Sequence, residues 1–383
     1  MFSSYYLIRN GFSVTIVDQN PDCGETSVHN AGLIVPSFAT TPPIDFAKIM
    51  LGYLGRQGPV YISPGEIIRN AGWLLRALRS VRGSEKALIE FGVKSLELYK
   101  DFFAEESVDV DLIKGVVGLY IDANIAAKAA RELSGQFIDG EEAHRLGFKG
   151  FGGGVLFEEE LSVNPAKLFS QLREKLSKMG ARILIGKEAR LIGTPPRINS
   201  AVVDSEKLTG DVFVVAAGAW SRELCKPLGY DPPIIPARGL AMIFDTGGAK
   251  LAGYPTLLED YGIPVVQHNQ NTLSVAGFFE LRGFQSTFSE SRKSWLLNIL
   301  SKHLEDQNKL RYVKEGVGFR PCTPDQLPLI GKVPRYENLF IASGHCRLGM
   351  TLAAATGYVV ESMIAGKPPR ESLLWHFDPV RFV

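Results

Sequence analysis

Phe12-Ser13-Val14-Thr15-Ile16-Val17-Asp18 is the stretch that decides the fold of this 383-residue chain. Apolar and β-branched residues run to an acid, the pattern of a strand buried in a parallel sheet. Ser3–Asn10 reads as a helix before it, with Gly11 placed as its C-cap glycine. In a dinucleotide-binding βαβ unit, the acid closing the second strand accepts hydrogen bonds from the ribose of the adenosine half. Such a unit also uses an earlier strand and a GxGxxG turn, whose backbone N–H groups approach the pyrophosphate. Met1 falls inside the helix, so the sequence displays the second half of a cofactor site. The expectation is a missing first strand and GxGxxG turn, through a start site set inside a longer frame or through real loss.

Outward from this stretch the nucleotide-type pattern returns twice. Asp211–Ala217 (DVFVVAA) is a second apolar run suited to a parallel strand, leading into Gly218-Ala219-Trp220. Leu339–Ala342 is a third, followed by the loop Ser343–Gly349 and a long apolar helix over Met350–Ile364. Between them lie helical patterns at Ile67–Val81, Ala87–Phe103, Ala123–Leu133 and Glu290–Leu304. Pro165–Met179 is the strongest helix, with proline near its start, Gly180 after its end and a strand at Ala181–Ile185. Lys114–Asp122 and Tyr312–Gly318 read as strands. From Ala237 to Val275 short alternating strands between Gly, Pro and Asn turns predict an antiparallel sheet. The fold class is therefore α/β with interleaved domains.

Bulk properties exclude several functions. Lys and Arg number 42 against 41 Asp and Glu, a formal net charge of +1 that gives nucleic acid no reason to bind. No apolar run reaches the ~18 residues of a membrane-spanning helix, and the first residues lack the charged-then-apolar pattern expected of a secretory signal. Cys23, Cys225, Cys322 and Cys346 form no CxxC pair, and the six histidines show no ligand spacing. No metal site is expected, and the cysteines read as reduced thiols of a cytoplasmic protein.

Several motifs in fixed order resemble the FAD-dependent amino-acid oxidoreductases. They are Met1–Asp18, Glu25–Ile34, Asp211–Trp220, Gly318-Phe319-Arg320-Pro321-Cys322-Thr323-Pro324-Asp325 with Leu327–Gly331, and Asn338–Thr356, which holds Ser343-Gly344-His345 and Gly349-Met350-Thr351 and runs on to Gly357. The resemblance runs end to end and is nearest to D-amino-acid dehydrogenases. It implies a Rossmann-like FAD-binding domain (1–95, 155–235 and 316–383) interleaved with an α+β substrate domain (96–154 and 236–315) that contains the antiparallel sheet. It also implies FAD as cofactor, a small amino acid as substrate, and an electron acceptor that is a quinone, a dye-like carrier or O₂. An oligomer and a peripheral position on the inner face of the membrane fit it too, with Ile44–Leu54 and Trp73–Leu78 as the apolar stretches that would touch lipid.

Roles follow position by position from the resemblance. Asp18 holds the ribose. Ser27, Asn30, Ala31, Gly32 and Leu33 pass beside the isoalloxazine, where small residues let backbone N–H groups approach the ring. Glu188 and Ala189 contact adenine through their backbone, and Ala217 and Gly218 border the cofactor. Gly344 and His345 sit beside the flavin, and the backbone of Leu348, Gly349, Met350 and Thr351 faces its pyrimidine carbonyls from a helix N-terminus. Arg320, held between Phe319 and Pro321, forks onto the substrate carboxylate. Tyr261 offers its hydroxyl to the substrate or fills the core, with Tyr53 and Phe278 as further candidates. Arg347 adds a cation that either stabilises reduced flavin or obstructs its face. Besides D-amino-acid dehydrogenation, three readings stay open: a glycine/sarcosine-type oxidase, a proline or hydroxyproline dehydrogenase subunit, and a non-catalytic paralogue or partner subunit lacking the phosphate cradle.

Overall fold

A ten-stranded, mostly antiparallel sheet forms the largest layer of the computed structural model, which describes residues 1–21, 25–40, 58–79, 85–368 and 372–383. Cys23, Tyr53, the stretch Ile44–Leu54 and the end of the Ile67–Val81 pattern lie outside the described residues. Along the sheet the strands are Arg311–Cys322, Ile235–Asp245, Thr272–Leu281, Ile263–Gln267, Thr256–Leu258, Ile113–Tyr120, Gly153–Ser162 and Leu33–Ile34. Val60–Ile62 adds to Thr272–Leu281, and Gln136–Asp139 to Gly153–Ser162. Neighbours run antiparallel except where Thr256–Leu258 joins Ile113–Tyr120 and where Val60–Ile62 joins Thr272–Leu281, both in parallel. The helix Glu290–His303 covers one face, with Leu296 and Leu300 pressed onto Leu273, Val275 and Phe278.

The nucleotide-type strands form smaller sheets. Thr15–Asp18 pairs in parallel with Arg182–Ile185, residue for residue from Thr15↔Arg182 to Asp18↔Ile185. The run expected over Phe12–Asp18 is thus shorter and less buried than its composition suggests. Thr15 is exposed and Ile16 and Val17 are only half-buried, because among the described residues the strand has a neighbour on one side alone. Phe213–Val215 runs parallel to Leu339–Ser343, which also pairs with Leu329–Lys332.

Local chemistry fixes the connecting helices. Asn164 caps Pro165–Lys178 by accepting the N–H groups of Ala166 and Lys167, and Gly180 leaves the helix with φ +94°. The C-terminal helix Gly349–Ile364 packs on Glu85–Glu105, with Tyr99 Oη donating to the Met350 carbonyl at 2.8 Å. The N-terminal helix Phe2–Arg9 crosses the same helix at Gly357, where a Cβ would meet the Phe2 backbone at 2.6 Å. Phe2, Tyr5, Tyr99 and Phe102 close this core edge to face, with centroids 5.0 to 5.3 Å apart.

Candidate active site

Two cross-links bind the C-terminal loop to the end of the Arg311–Cys322 strand. Cys346 N donates to the Pro321 carbonyl at 2.9 Å, and His345 bridges to Cys322. Sheet pairing therefore brings Cys322 and Cys346 to a Cα separation of 4.4 Å across 24 residues, and they form a disulfide. The expectation of reduced thiols is corrected for these two. No CxxC spacing announces the bond, because the loop makes it and not the local sequence. Cys225 is a buried free thiol, pushed up to about 12 by burial.

The strand and loop together carry Arg320, His345 and Arg347. Arg320 Nη1 donates to the Phe278 carbonyl at 2.8 Å. Phe278 holds φ +67° where Thr272–Leu281 slips register against Ile235–Asp245, and this left-handed residue turns its carbonyl toward Arg320. Arg292 lies 4.5 Å over the Phe278 ring and, with the buried Arg238, grips Glu280. Gly239 clears the space that the guanidinium occupies, since a Cβ there would lie 2.3 Å from Arg320 Nη1.

A recess follows from the surroundings of these groups. Arg320, His345 and Glu259 keep part of their surface accessible and Arg347 is exposed. Yet protein crowds each one enough to disfavour its charge. Accessible surface on side chains so surrounded marks a hollow open to water, and that water tempers the loss of charge. Burial first, and then repulsion from Arg347, pulls Arg320 down to about 10. Burial also lowers Arg347, opposed by the attraction of Glu259. His345, with Nε2 at 2.9 Å from Thr356 Oγ1, falls to about 4 and is neutral at physiological pH.

The flanking loop meets the same place. Asn30 folds back on the Ser27 carbonyl and accepts the Gly32 N–H at 2.7 Å. Gly32 has φ +72°, and a Cβ would overlap the Val163 carbonyl at 1.8 Å, so only glycine fits. Thr351 Oγ1 donates to the Leu33 carbonyl at 3.3 Å and accepts Val35 N–H at 3.2 Å. Thr26 Oγ1 accepts the Phe319 N–H at 3.0 Å. Ala31 and Leu33 are thereby carried against the start of the C-terminal helix and the Arg320 strand. Leu348 caps that helix without a side-chain bond, leaving the first-turn N–H groups around Gly349 and Met350 free for a ligand. Ser343 Oγ donates to the Gly218 carbonyl at 2.9 Å, which joins Ala217 and Gly218 to Gly344.

A second group gathers around Asp18. Its carboxylate accepts Asn20 N–H at 2.9 Å and its carbonyl accepts Lys187 N–H at 3.0 Å, so Glu188 and Ala189 follow beside it.

Tyr261 is placed elsewhere. Its hydroxyl lies 2.9 Å from His303 Nε2 and its ring packs against Trp295, under the helix that covers the far face of the sheet. These are the surroundings that the core reading of Tyr261 expects, with the hydroxyl engaged by His303. The tight turn at Glu259–Gly262 sends Glu259 to the opposite side, where Tyr120 donates to it and Arg347 faces it. Sequence reading passed over Glu259 and Gly239, and an acid at a strand end gives little to mark it out. An open groove of about 430 Å³ lies elsewhere, among Pro196, Lys332, Tyr336 and Asp378, and shares none of these residues.

The donor set suits a flavin dinucleotide. A carboxylate closing a parallel strand fits a ribose hydroxyl, and an uncapped helix N-terminus fits pyrimidine carbonyls. A glycine that admits no side chain lets the backbone approach a ring. This combination defines a Rossmann-type flavoprotein joined to a curled antiparallel sheet. The FAD dependent oxidoreductase (DAO) family matches residues 1–363, and the chain belongs to that family. It is an oxidoreductase whose cofactor is FAD.

Among proteins it resembles, D-amino acid dehydrogenase of Rhizorhabdus wittichii is 26% identical over 96% of this chain and 94% of its own length. Iminodiacetate oxidase from Chelativorans sp. BNC1 superposes with a TM-score of 0.77 at 18% identity, over 99% of this chain and 95% of that one. Glycine oxidase from Geobacillus kaustophilus gives 0.78 at 17%, over 100% and 95%. No helix of the described residues is long and apolar enough to cross a membrane.

Proposed function

We propose that this chain oxidises a small amino acid, a D-amino acid in preference, to the imine, which water converts to a 2-oxo acid and ammonia. The observation that carries the reading is Arg320: a guanidinium lining a recess, with a main-chain carbonyl as its partner and no carboxylate of the described residues within ion-pair distance. Such a group is matched by a ligand carboxylate, which its fork binds through two parallel hydrogen bonds. The similarity to D-amino acid dehydrogenase supports the choice of substrate class.

Asp18 holds the ribose, and Glu188 and Ala189 border the adenine. Asn30, Ala31, Gly32 and Leu33 line the ring from one side, with Ser27 bracing Asn30. Ala217, Gly218 and Gly344 shape the opposite wall. The N–H groups of Leu348, Gly349, Met350 and Thr351 receive the pyrimidine carbonyls, where the helix N-terminus favours negative charge. Neutral His345, fixed by Thr356, keeps the loop in place without adding charge. FAD, when bound, supplies the two-electron acceptor at its N5 atom for the hydride that leaves Cα. What the protein adds is orientation: Arg320 holds the carboxylate so that Cα–H faces that atom.

The test is anaerobic addition of D-amino acids, glycine, sarcosine and D-proline to purified flavoprotein. The visible flavin band should bleach with at least one of them, and a band that no amine bleaches ends the proposal. Turnover with quinone or dye against peroxide release then distinguishes a dehydrogenase from an oxidase.

A further inference from the structure

Of the groups lining the recess, one carboxylate has no place in the reading so far. Glu259 stands at the end of Thr256–Leu258, its N–H bonded to the Leu119 carbonyl at 3.0 Å. Its Oε1 rests on the neighbouring strand, 3.3 Å from where a Gly118 Cβ would be, next to the Phe38 ring. The charged and titratable groups facing it are Arg347 from the C-terminal loop, Asp260 from its own turn and Tyr120 from the adjacent strand. Arg347 links it to Arg320, since that one cation acts on both.

We propose that Glu259 accepts the proton from the substrate ammonium before the Cα–H bond breaks. This deepens the amino-acid reading above and rests on it. An amino acid arrives as a zwitterion, and an ammonium has no lone pair with which to form the C=N bond. In the step proposed, an N–H bond of the ammonium breaks, the proton passes to a Glu259 carboxylate oxygen, and the freed pair stays on nitrogen. The Cα–H electrons then leave as hydride, and Glu259 returns its proton to water through the open side of the recess.

Glu259 is the carboxylate set between the sheet and Arg347. Arg320 and Arg347 are cations, His345 Nε2 is engaged by Thr356, exposed Asp260 turns Oδ2 to the Ile121 N–H at 2.8 Å, and Tyr261 lies on the far face. Burial, the largest influence, pushes the Glu259 carboxyl up to about 7 against the attraction of Arg347. A base poised near working pH combines a sizeable ionised fraction with enough basicity to hold the proton. Arg320, Arg347, ionised Glu259 and the zwitterion sum to one positive charge, and moving the proton from the ammonium to Glu259 leaves that sum unchanged.

The experiment compares the wild-type flavoprotein with Glu259→Gln across pH. In wild type, kcat/KM should rise with pH through a limb near 7 that stays put for two amino acids of different amine pKa. In Glu259→Gln it should fall about 100-fold at pH 7 and recover toward wild type as pH approaches the substrate amine's own pKa. A readout without turnover is the calorimetric Kd of propionate, which binds Arg320 but carries no amine. It should weaken with rising pH through 7 in wild type, as Glu259 becomes an anion, and stay flat in Glu259→Gln. A limb that follows the amine pKa in wild type, or survives unchanged in the variant, overturns the proposal alone. Failure of every amine to bleach the wild-type flavin overturns the amino-acid reading, and this proposal with it.

Discussion

Arg320 reaches across the sheet to the main-chain carbonyl of Phe278, at 2.8 Å, with no acid of the described residues within ion-pair distance. A carbonyl fixes the guanidinium's direction and leaves its charge uncompensated, ready for a carboxylate. Replacing Arg320 with Met should therefore lower kcat/KM for an amino acid by about 100-fold or more, since a charge-assisted bidentate pair contributes roughly 3 kcal/mol. Thermal stability should hardly change, because no buried acid loses its partner. Lysine should restore little, lacking the fork. Steady-state kinetics beside a melting curve check both halves of this prediction.

Gly239 tests the same geometry from below. A Cβ there would lie 2.3 to 2.6 Å from Arg320 Nη1, Nη2 and Cζ, all at the far end of a flexible side chain. Gly239→Ala should thus displace the guanidinium and leave the strand pairing intact. The expected result is roughly tenfold weaker propionate binding by calorimetry, with a melting temperature near wild type. A stability loss as large as that of a core cavity would mean that the backbone moves instead of the arginine.

How far the sequence discloses this molecule depends on how local each cause is. Pro165–Lys178 is legible because Asn164, Pro165 and Gly180 are themselves the start and stop signals. Arg320 is legible because an arginine in an apolar, proline-bound strand needs a reason. The Glu259–Gly262 turn is not, since side-chain direction there depends on a strand end and alternates with each residue. Reading the aromatic as the functional member picks Tyr261, whereas the turn sends it to His303 and sends Glu259 toward Arg347. The register slip at Phe278 and the pairing of Cys322 with Cys346 are equally non-local. Each exists only once strands distant in sequence have met.

The disulfide should matter to both stability and site. It closes a stretch of 24 residues, for which chain-entropy arguments give about 3 kcal/mol. Cys346→Ser should lower the melting temperature by about 5 °C, as a chain of this size loses only a few degrees per 1–2 kcal/mol. Because Cys346 lies between His345 and Arg347, the freed loop should also weaken propionate binding. Both effects should be matched by wild type after reduction. Equal stability of reduced and oxidised protein would show that the hydrogen bond from Cys346 to Pro321 suffices.

Glu160 gives the clearest pH dependence outside the recess. Its Oε1 accepts Ser37 N–H at 2.8 Å and Ser37 Oγ–H at 2.5 Å, while Oε2 is buried without a partner among the described residues. Burial pushes its carboxyl up to about 7, against the opposing pull of both Ser37 donors. With the folded value above the unfolded one, the unfolded chain releases this proton first as pH rises. Stability from Glu160 is therefore whole below about pH 4.3 and is lost on the way to 7, by on the order of 3 kcal/mol. Glu160→Gln keeps an oxygen for Ser37 and cannot ionise. Urea unfolding at pH 5 and pH 8 should show the variant gaining on wild type by that order between the two pH values. An unchanged difference would mean that Glu160 is already ionised in the folded protein at pH 5, with Oε2 solvated.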